Sequence, residues 1–155
     1  MRVINDIIVH CTANGPSSKL GAADIDRIHK KRGFRCIGYH YVIKRDGTIE
    51  RGRSISQPGA HCYGHNAHSI GVAYVGGIDN QGRPQDNRTP EQKQSLLKLL
   101  TNLVAMYRCG IHGHRDYANK ACPSFDATTE YAGLYRQIVL ENRLPKKLLP
   151  GQILE

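Results

Sequence analysis

An α/β domain layered around one sheet is the fold class this sequence predicts, and three observations predict it. Short apolar runs of strand character alternate with segments of helical period along the chain. The run Ile7-Ile8-Val9 is apolar without interruption, as in strands covered on both faces. At 155 residues the chain has the length of one domain, enough to bury a core without disulfides or metal staples.

Residues 3–11 form the first predicted strand, which ends in His10 and Cys11. Successive side chains on a strand point to opposite faces, so only one of these two meets a given site, and Cys11 is assigned to the core. A helix over about residues 22–32 carries Ile25 and Ile28 on one face and stops at Gly33. A hairpin follows: residues 39–44 alternate, Asp46-Gly47 favours a type I′ turn, and Thr48-Ile49-Glu50 returns. In that alternation Tyr39, Tyr41 and Ile43 share one face, and His40, Val42 and Lys44 the other. Residues 54–69, rich in Gly, His, Ser and Asn, read as a long loop, a common home for binding residues. Residues 70–75 read as a strand stopped by Gly76-Gly77, and residues 79–88, with Gly82 and Pro84, as another loop.

The clearest helix covers residues 90–108. Thr89 caps it, Pro90 suits its first position and Gln92 completes a capping box. Leu96, Leu99, Leu100, Leu103, Val104 and Tyr107 form its buried stripe. Gly110 ends it, Ile111 begins a short strand, and a last helix over about residues 127–142 buries Tyr131, Leu134, Tyr135 and Ile138. The domain therefore spans residues 1–142, with residues 143–155 as a C-terminal tail.

The net charge of +9 admits a nucleic-acid partner, an anionic envelope or polymer, or solubility alone. The densest basic stretch, Arg27-Ile28-His29-Lys30-Lys31-Arg32, coincides with a helix end, where cations complement the helix dipole. No recognition motif or aromatic platform accompanies it, so no nucleic-acid partner is expected. No stretch approaches the roughly 18 apolar residues of a membrane span, and the apolar run after Asp6 is too short for a signal-peptide core. Five cysteines without paired spacing suit a reducing compartment. The expectation is a soluble monomer synthesised in a cytoplasm without a signal peptide.

The chemistry concentrates in Gly113-His114-Arg115-Asp116 followed by Lys120-Ala121-Cys122-Pro123. His114 and Cys122 are both strong zinc ligands, but a zinc site needs at least a third, and His10 is the best candidate. Their spacing is wider than in zinc fingers, and neither Cys-x-x-Cys nor His-Glu-x-x-His occurs.

Context adds to this. Ile-Val-His-Cys on the first strand, Gly38-Tyr39-His40-Tyr41 before Ile43-Lys44-Arg45-Asp46-Gly47, Ser69-Ile70-Gly71-Val72, and Gly-His-Arg-Asp before Lys-Ala-Cys-Pro stand in one order. Together, over about residues 7–125, the chain resembles the zinc-dependent N-acetylmuramoyl-L-alanine amidases of type 2. The resemblance is to the small phage lysozyme or endolysin branch, related to the peptidoglycan recognition proteins. It implies a mixed, mostly parallel sheet flanked by helices, with one zinc ion at the bottom of a groove that holds peptidoglycan. It places His10, His114 and Cys122 on the zinc ligands, and Tyr39 and Lys120 on the catalytic tyrosine and lysine. On the residues alone, Lys120 reads as a solvated loop lysine and Tyr39 as a core-edge aromatic.

The implied chemistry has a physical account. Zinc with three protein ligands and an open position lowers the pKa of its water to about 7, giving a nucleophile for the amide carbonyl. Lys120 would stabilise the oxyanion, a role in which one donor is worth ~3 kcal/mol. Tyr39 would position the water or pass a proton to the departing amine. Cytosolic wall-recycling relatives carry a glutamate on the strand where this chain has Val72-Ala73-Tyr74-Val75, which shifts proton handling toward Tyr39. His61 and His65, in the loop bordering the groove, are assigned to substrate contact. His40 and His112 are assigned structural roles, His29 the helix surface, and Cys62 a free thiol. A non-catalytic peptidoglycan-binding module is the alternative, and the retained Cys122 argues against it. A wall hydrolase made without a signal peptide reaches its substrate on release, which favours a phage or prophage setting.

Overall fold

The computed structural model describes residues 2–143; the predicted tail, apart from Arg143, lies outside them. Five strands form one sheet in the order β3-β2-β4-β1-β5: β1 (Asp6–Cys11), β2 (Tyr41–Ile43), β3 (Ile49–Arg51), β4 (Ser69–Tyr74) and β5 (Gly110–Gly113). β1 lies parallel to both β4 and β5, β2 is parallel to β4, and only the β2-β3 hairpin is antiparallel. The sheet is therefore mixed and mostly parallel. β1 lies inside the sheet between β4 and β5, and its Ile7, Ile8 and Val9 are fully buried, which accounts for their unbroken apolar run.

Helices cover both faces. Ile7, Val9, Ile70, Val72, Tyr74 and Ile43 pack on one side against α2 (Pro90–Tyr107) and α3 (Ala127–Tyr135), and Cys11 joins this core as expected. Leu96, Leu99, Leu100 and Leu103 of α2 are almost wholly buried, each contributing about 2 kcal/mol relative to exposure. Thr89 Oγ1 accepts from the Gln92 N–H at 3.0 Å and Gln92 Oε1 from the Thr89 N–H at 3.0 Å, so the predicted capping box is formed. A π-helical turn, Arg136–Leu140, continues α3, in which Tyr131 and Leu134 are buried and Tyr135 is half-buried. On the opposite side Ile25 of α1 (Ala22–Lys31) packs with Ile37, Val42 and Val75.

Four local expectations are corrected. Ile28 is exposed while His29 is buried, its Nδ1 accepting the Gly38 N–H at 2.9 Å, so α1 turns the i,i+4 pair Ile25/His29 inward. β2 begins only at Tyr41, and Tyr39, outside the ladder, packs with Val42 rather than with Tyr41 and Ile43. At the hairpin Gly47 has φ +90° but Asp46 is not left-handed, and Gly47 N–H donates to Lys44 O at 2.8 Å. This is a turn followed by one left-handed glycine, the longer hairpin form, rather than type I′. At the end of α2 the left-handed residue is Arg108, φ +52°, and Gly110 already belongs to β5.

Candidate metal centre and active site

The site lies on the α1 face, above the ends of β1 and β5. His10, 1% exposed, points to this face because Val9 and Cys11 on either side point to the other. β5 brings His114 beside it: Ile111 enters the core, so His112 and His114 face the site side. A short 3₁₀ turn, His114–Asp116, fixes the exit from the strand, with Asp116 Oδ2 accepting the Gly113 N–H at 2.9 Å. The Arg115 N–H donates to Cys122 O at 2.8 Å, which folds the intervening loop back and carries Cys122 over the strand ends.

His10, His114 and Cys122 thus converge, and one donor atom from each lies within 4.8 Å of the others. Cys122 Sγ stands 3.8 Å from His10 Nδ1, and the two imidazole centroids are 4.6 Å apart. Ordinary zinc–nitrogen and zinc–sulfur bond lengths in a tetrahedron place such donors about 3.5 Å apart, so the trio fits with small adjustment. Two imidazoles and one thiolate are also a donor set that suits zinc, whereas hard cations prefer oxygen.

Around the trio is a cleft of about 680 Å³, with Tyr39, His29, Arg32, Phe34, Tyr117 and Lys120 among its walls. Tyr39 stacks obliquely 5.2 Å from the His10 ring, and burial pushes its hydroxyl well above the usual phenol range. It stays protonated at neutral pH and so has a proton to donate. Lys120 is exposed at the rim and forms no ion pair among the described residues. Burial, then the neighbouring His61, His114 and Lys120, hold His10 well below the ordinary histidine range. Burial, then Lys120, also lowers His114. The Cys122 thiol is pushed up by its hydrogen bond with the Cys11 thiol and by burial. No Asp or Glu lines the cleft among the described residues, and the β4 residue paired with His10 is Ala73.

The five predicted catalytic and ligand residues are therefore brought together. Of the two loop histidines, His61 lines the cleft but turns both ring nitrogens to protein partners. His65 stacks on Tyr117, centroids 3.9 Å apart, and stays out of the cleft wall. His40 is structural: its Nδ1 accepts the Gly71 N–H at 3.0 Å, so its proton sits on Nε2 and donates to Gln57 O at 2.8 Å. His112 pairs with Asp6 at 2.7 Å. Arg32, Phe34 and Tyr117 were not anticipated, because each enters the wall from an element whose spacing carries no signal.

A family model described as N-acetylmuramoyl-L-alanine amidase matches residues 1–125. The chain belongs to that family. The amidase is 50% identical over 121 residues to an endolysin of Enterobacteria phage T3, covering 77% of this chain and 80% of that protein. Among solved structures, N-acetylmuramoyl-L-alanine amidase LysC from Clostridium intestinale URNW matches it with TM-score 0.74 and 34% identity, over 86% of each chain. Drosophila PGRP-LB, 21% identical over 85% of this chain and 81% of its own, has TM-score 0.70 and shares the fold. The reaction of the amidase is hydrolysis of the amide between N-acetylmuramic acid and L-alanine. No helix among the described residues is long and apolar enough to cross a membrane.

Proposed function

We propose that this amidase works with one zinc ion held by His10, His114 and Cys122 and lyses bacterial cell walls as a phage-encoded endolysin. The observation that carries the reading is the convergence of those three donors, within 4.8 Å, at the floor of a cleft that also presents Tyr39 and Lys120. Zinc held there supplies Lewis acidity, activating water near neutral pH and polarising the scissile carbonyl.

The protein's own groups supply the rest. Lys120, exposed at the rim and in no ion pair among the described residues, donates to the carbonyl oxygen as negative charge builds on it. Tyr39, kept protonated by burial, orients water or gives its proton toward the leaving amine. No carboxylate lines the cleft among the described residues, so this reading gives the chemistry to these two side chains and the ligand trio, with His29 and Arg32 also in the wall. The net charge of +9 favours approach to an anionic wall, on which one domain of residues 1–142 acts as a monomer.

Metal content of the purified chain and mass spectrometry of defined muropeptides test this together. The expected result is about one zinc per chain and release of stem peptides with a free L-alanine amine. His114→Ala and Cys122→Ala should lose both. Full activity in both variants overturns the proposal, and muropeptides retained unchanged by the zinc-loaded protein would make it a binding module.

A further inference from the structure

His61 reaches the site from the loop between β3 and β4, and its ring is held from every side. Asn66 Oδ1 accepts the N–H groups of His61 and Cys62 at 2.9 and 3.0 Å, which fixes the backbone. His61 Nδ1 lies 2.8 Å from His10 Nε2, and His61 Nε2 lies 3.2 Å from Ser69 Oγ. The two imidazoles meet edge to face, centroids 4.8 Å apart and planes at 87°. Two glycines leave the space for this: a Cβ would stand 2.7 Å from the His61 ring at Gly71 and 2.6 Å from it at Gly59. A side chain meant for substrate keeps a polar atom for it, and this ring has none left.

We propose that His61 is the positioning residue for the metal ligand His10, holding it in the tautomer that presents a bare Nδ1 to the ion. The inference rests on the zinc reading above. A ligating Nδ1 carries no proton, so the His10 proton sits on Nε2 and donates to His61. His61 Nδ1 is then the acceptor, its own proton sits on Nε2, and that proton goes to Ser69 Oγ. The chain closes with both rings neutral and each N–H matched to an acceptor.

The Ser69-Ile70-Gly71 run of β4 gains a meaning from this. Ser69 anchors the outer ring, Gly71 gives it a floor, and Ile70 between them faces the opposite core. Ligand histidines are commonly oriented by a carboxylate, a carbonyl or water. A neutral imidazole orients the ligand equally well and adds no negative charge. With one thiolate as the sole anionic ligand, a divalent ion keeps net positive charge for polarising the amide.

Zinc alone is the probe, added to the full metal-free chain in competition with a chromogenic chelator. Nitrogen-15 NMR reads the His10 tautomer, and the unfolding midpoint of the metal-free protein checks folding. His61→Ala should bind zinc about 10–100-fold more weakly. Gly71→Ala, whose Cβ displaces the ring, should follow it. His61→Asn, which keeps an acceptor near the Nδ1 position, should stay within about threefold of the parent. Ser69→Ala should fall between, and His10 of the parent should carry its proton on Nε2. Parental zinc affinity in His61→Ala, or equal loss in His61→Asn and His61→Ala, overturns the role of His61. Failure of the parent chain to bind zinc, or undiminished binding by Cys122→Ala, overturns the metal reading itself.

Discussion

Acidification should destabilise the metal-free protein through His40 as pH falls from about 6.5 toward 4. This ring is 1% exposed at the entry to β2, where Nδ1 accepts from Gly71 and Nε2–H donates to Gln57. Protonation would set an N–H against the Gly71 N–H in a space without water. Burial, with Arg2 and Arg53 nearby, lowers its pKa to about 4, against the bond to Gln57 that raises it. The unfolded chain, with an ordinary histidine near 6.5, takes the proton first as pH falls. His40's contribution is therefore complete above about pH 6.5 and is lost as pH falls toward 4. By linkage the loss at pH 5 is about 2 kcal/mol relative to pH 7.5. His40→Asn retains an acceptor for Gly71 and cannot titrate. Urea unfolding with chelator present, at pH 7.5 and 5.0, should show a pH dependence about 2 kcal/mol smaller in this variant than in the parent. Equal pH dependence in the two proteins would refute the reasoning.

Three further outcomes are expected. Lys120→Ala should retain zinc but lose about 10²–10³-fold in kcat, the usual cost of one oxyanion donor, and an unchanged kcat on muropeptides would remove Lys120 from the chemistry. Zinc binding should release about one proton near pH 6, where the Cys122 thiol is pushed up and burial disfavours protonated His10 and His114; above that pH the bound water and the Cys11 thiol beside Cys122 also titrate. Apparent affinity then rises about tenfold per pH unit, and calorimetry in buffers of different ionisation enthalpy should count the same proton. Arg88→Ala should cost about 3 kcal/mol in urea unfolding, because Arg88 is buried between Asp86 and Glu130 with its guanidinium 3.5 Å over the Phe125 ring. A loss under 1 kcal/mol would show that the two carboxylates, both partly exposed, are resolvated freely.

What could be read from the chain alone follows the range of the interactions involved. The α2 boundaries and the Thr89/Gln92 cap were legible because they depend on neighbours three residues apart. His10 was legible because strand alternation separates it from Cys11. Tyr39 was misplaced by the same rule carried two residues past the real start of β2, where no ladder enforces the pleat. For α1 the helical period fits Ile25 with either Ile28 or His29, and the distant Gly38 N–H decides for the histidine. His61 was assigned to substrate because it lies in a loop bordering the groove, and such loops commonly carry binding residues. Gly59 and Gly71 were the available signal, since missing Cβ atoms on both sides of a ring mark a packed ring.

The first strand synthesised is an interior strand of the sheet, and both its neighbours, β4 and β5, are made far later. His10 and Cys122 are 112 residues apart in the chain. At ordinary translation rates Cys122, the last of the three proposed metal donors, emerges about 6–22 s after His10. During that interval β1 has unpaired edges and an apolar surface, the condition in which nascent chains misassemble. On the proposed ligand set, a chain interrupted before Cys122 lacks the third metal donor and the whole of α3.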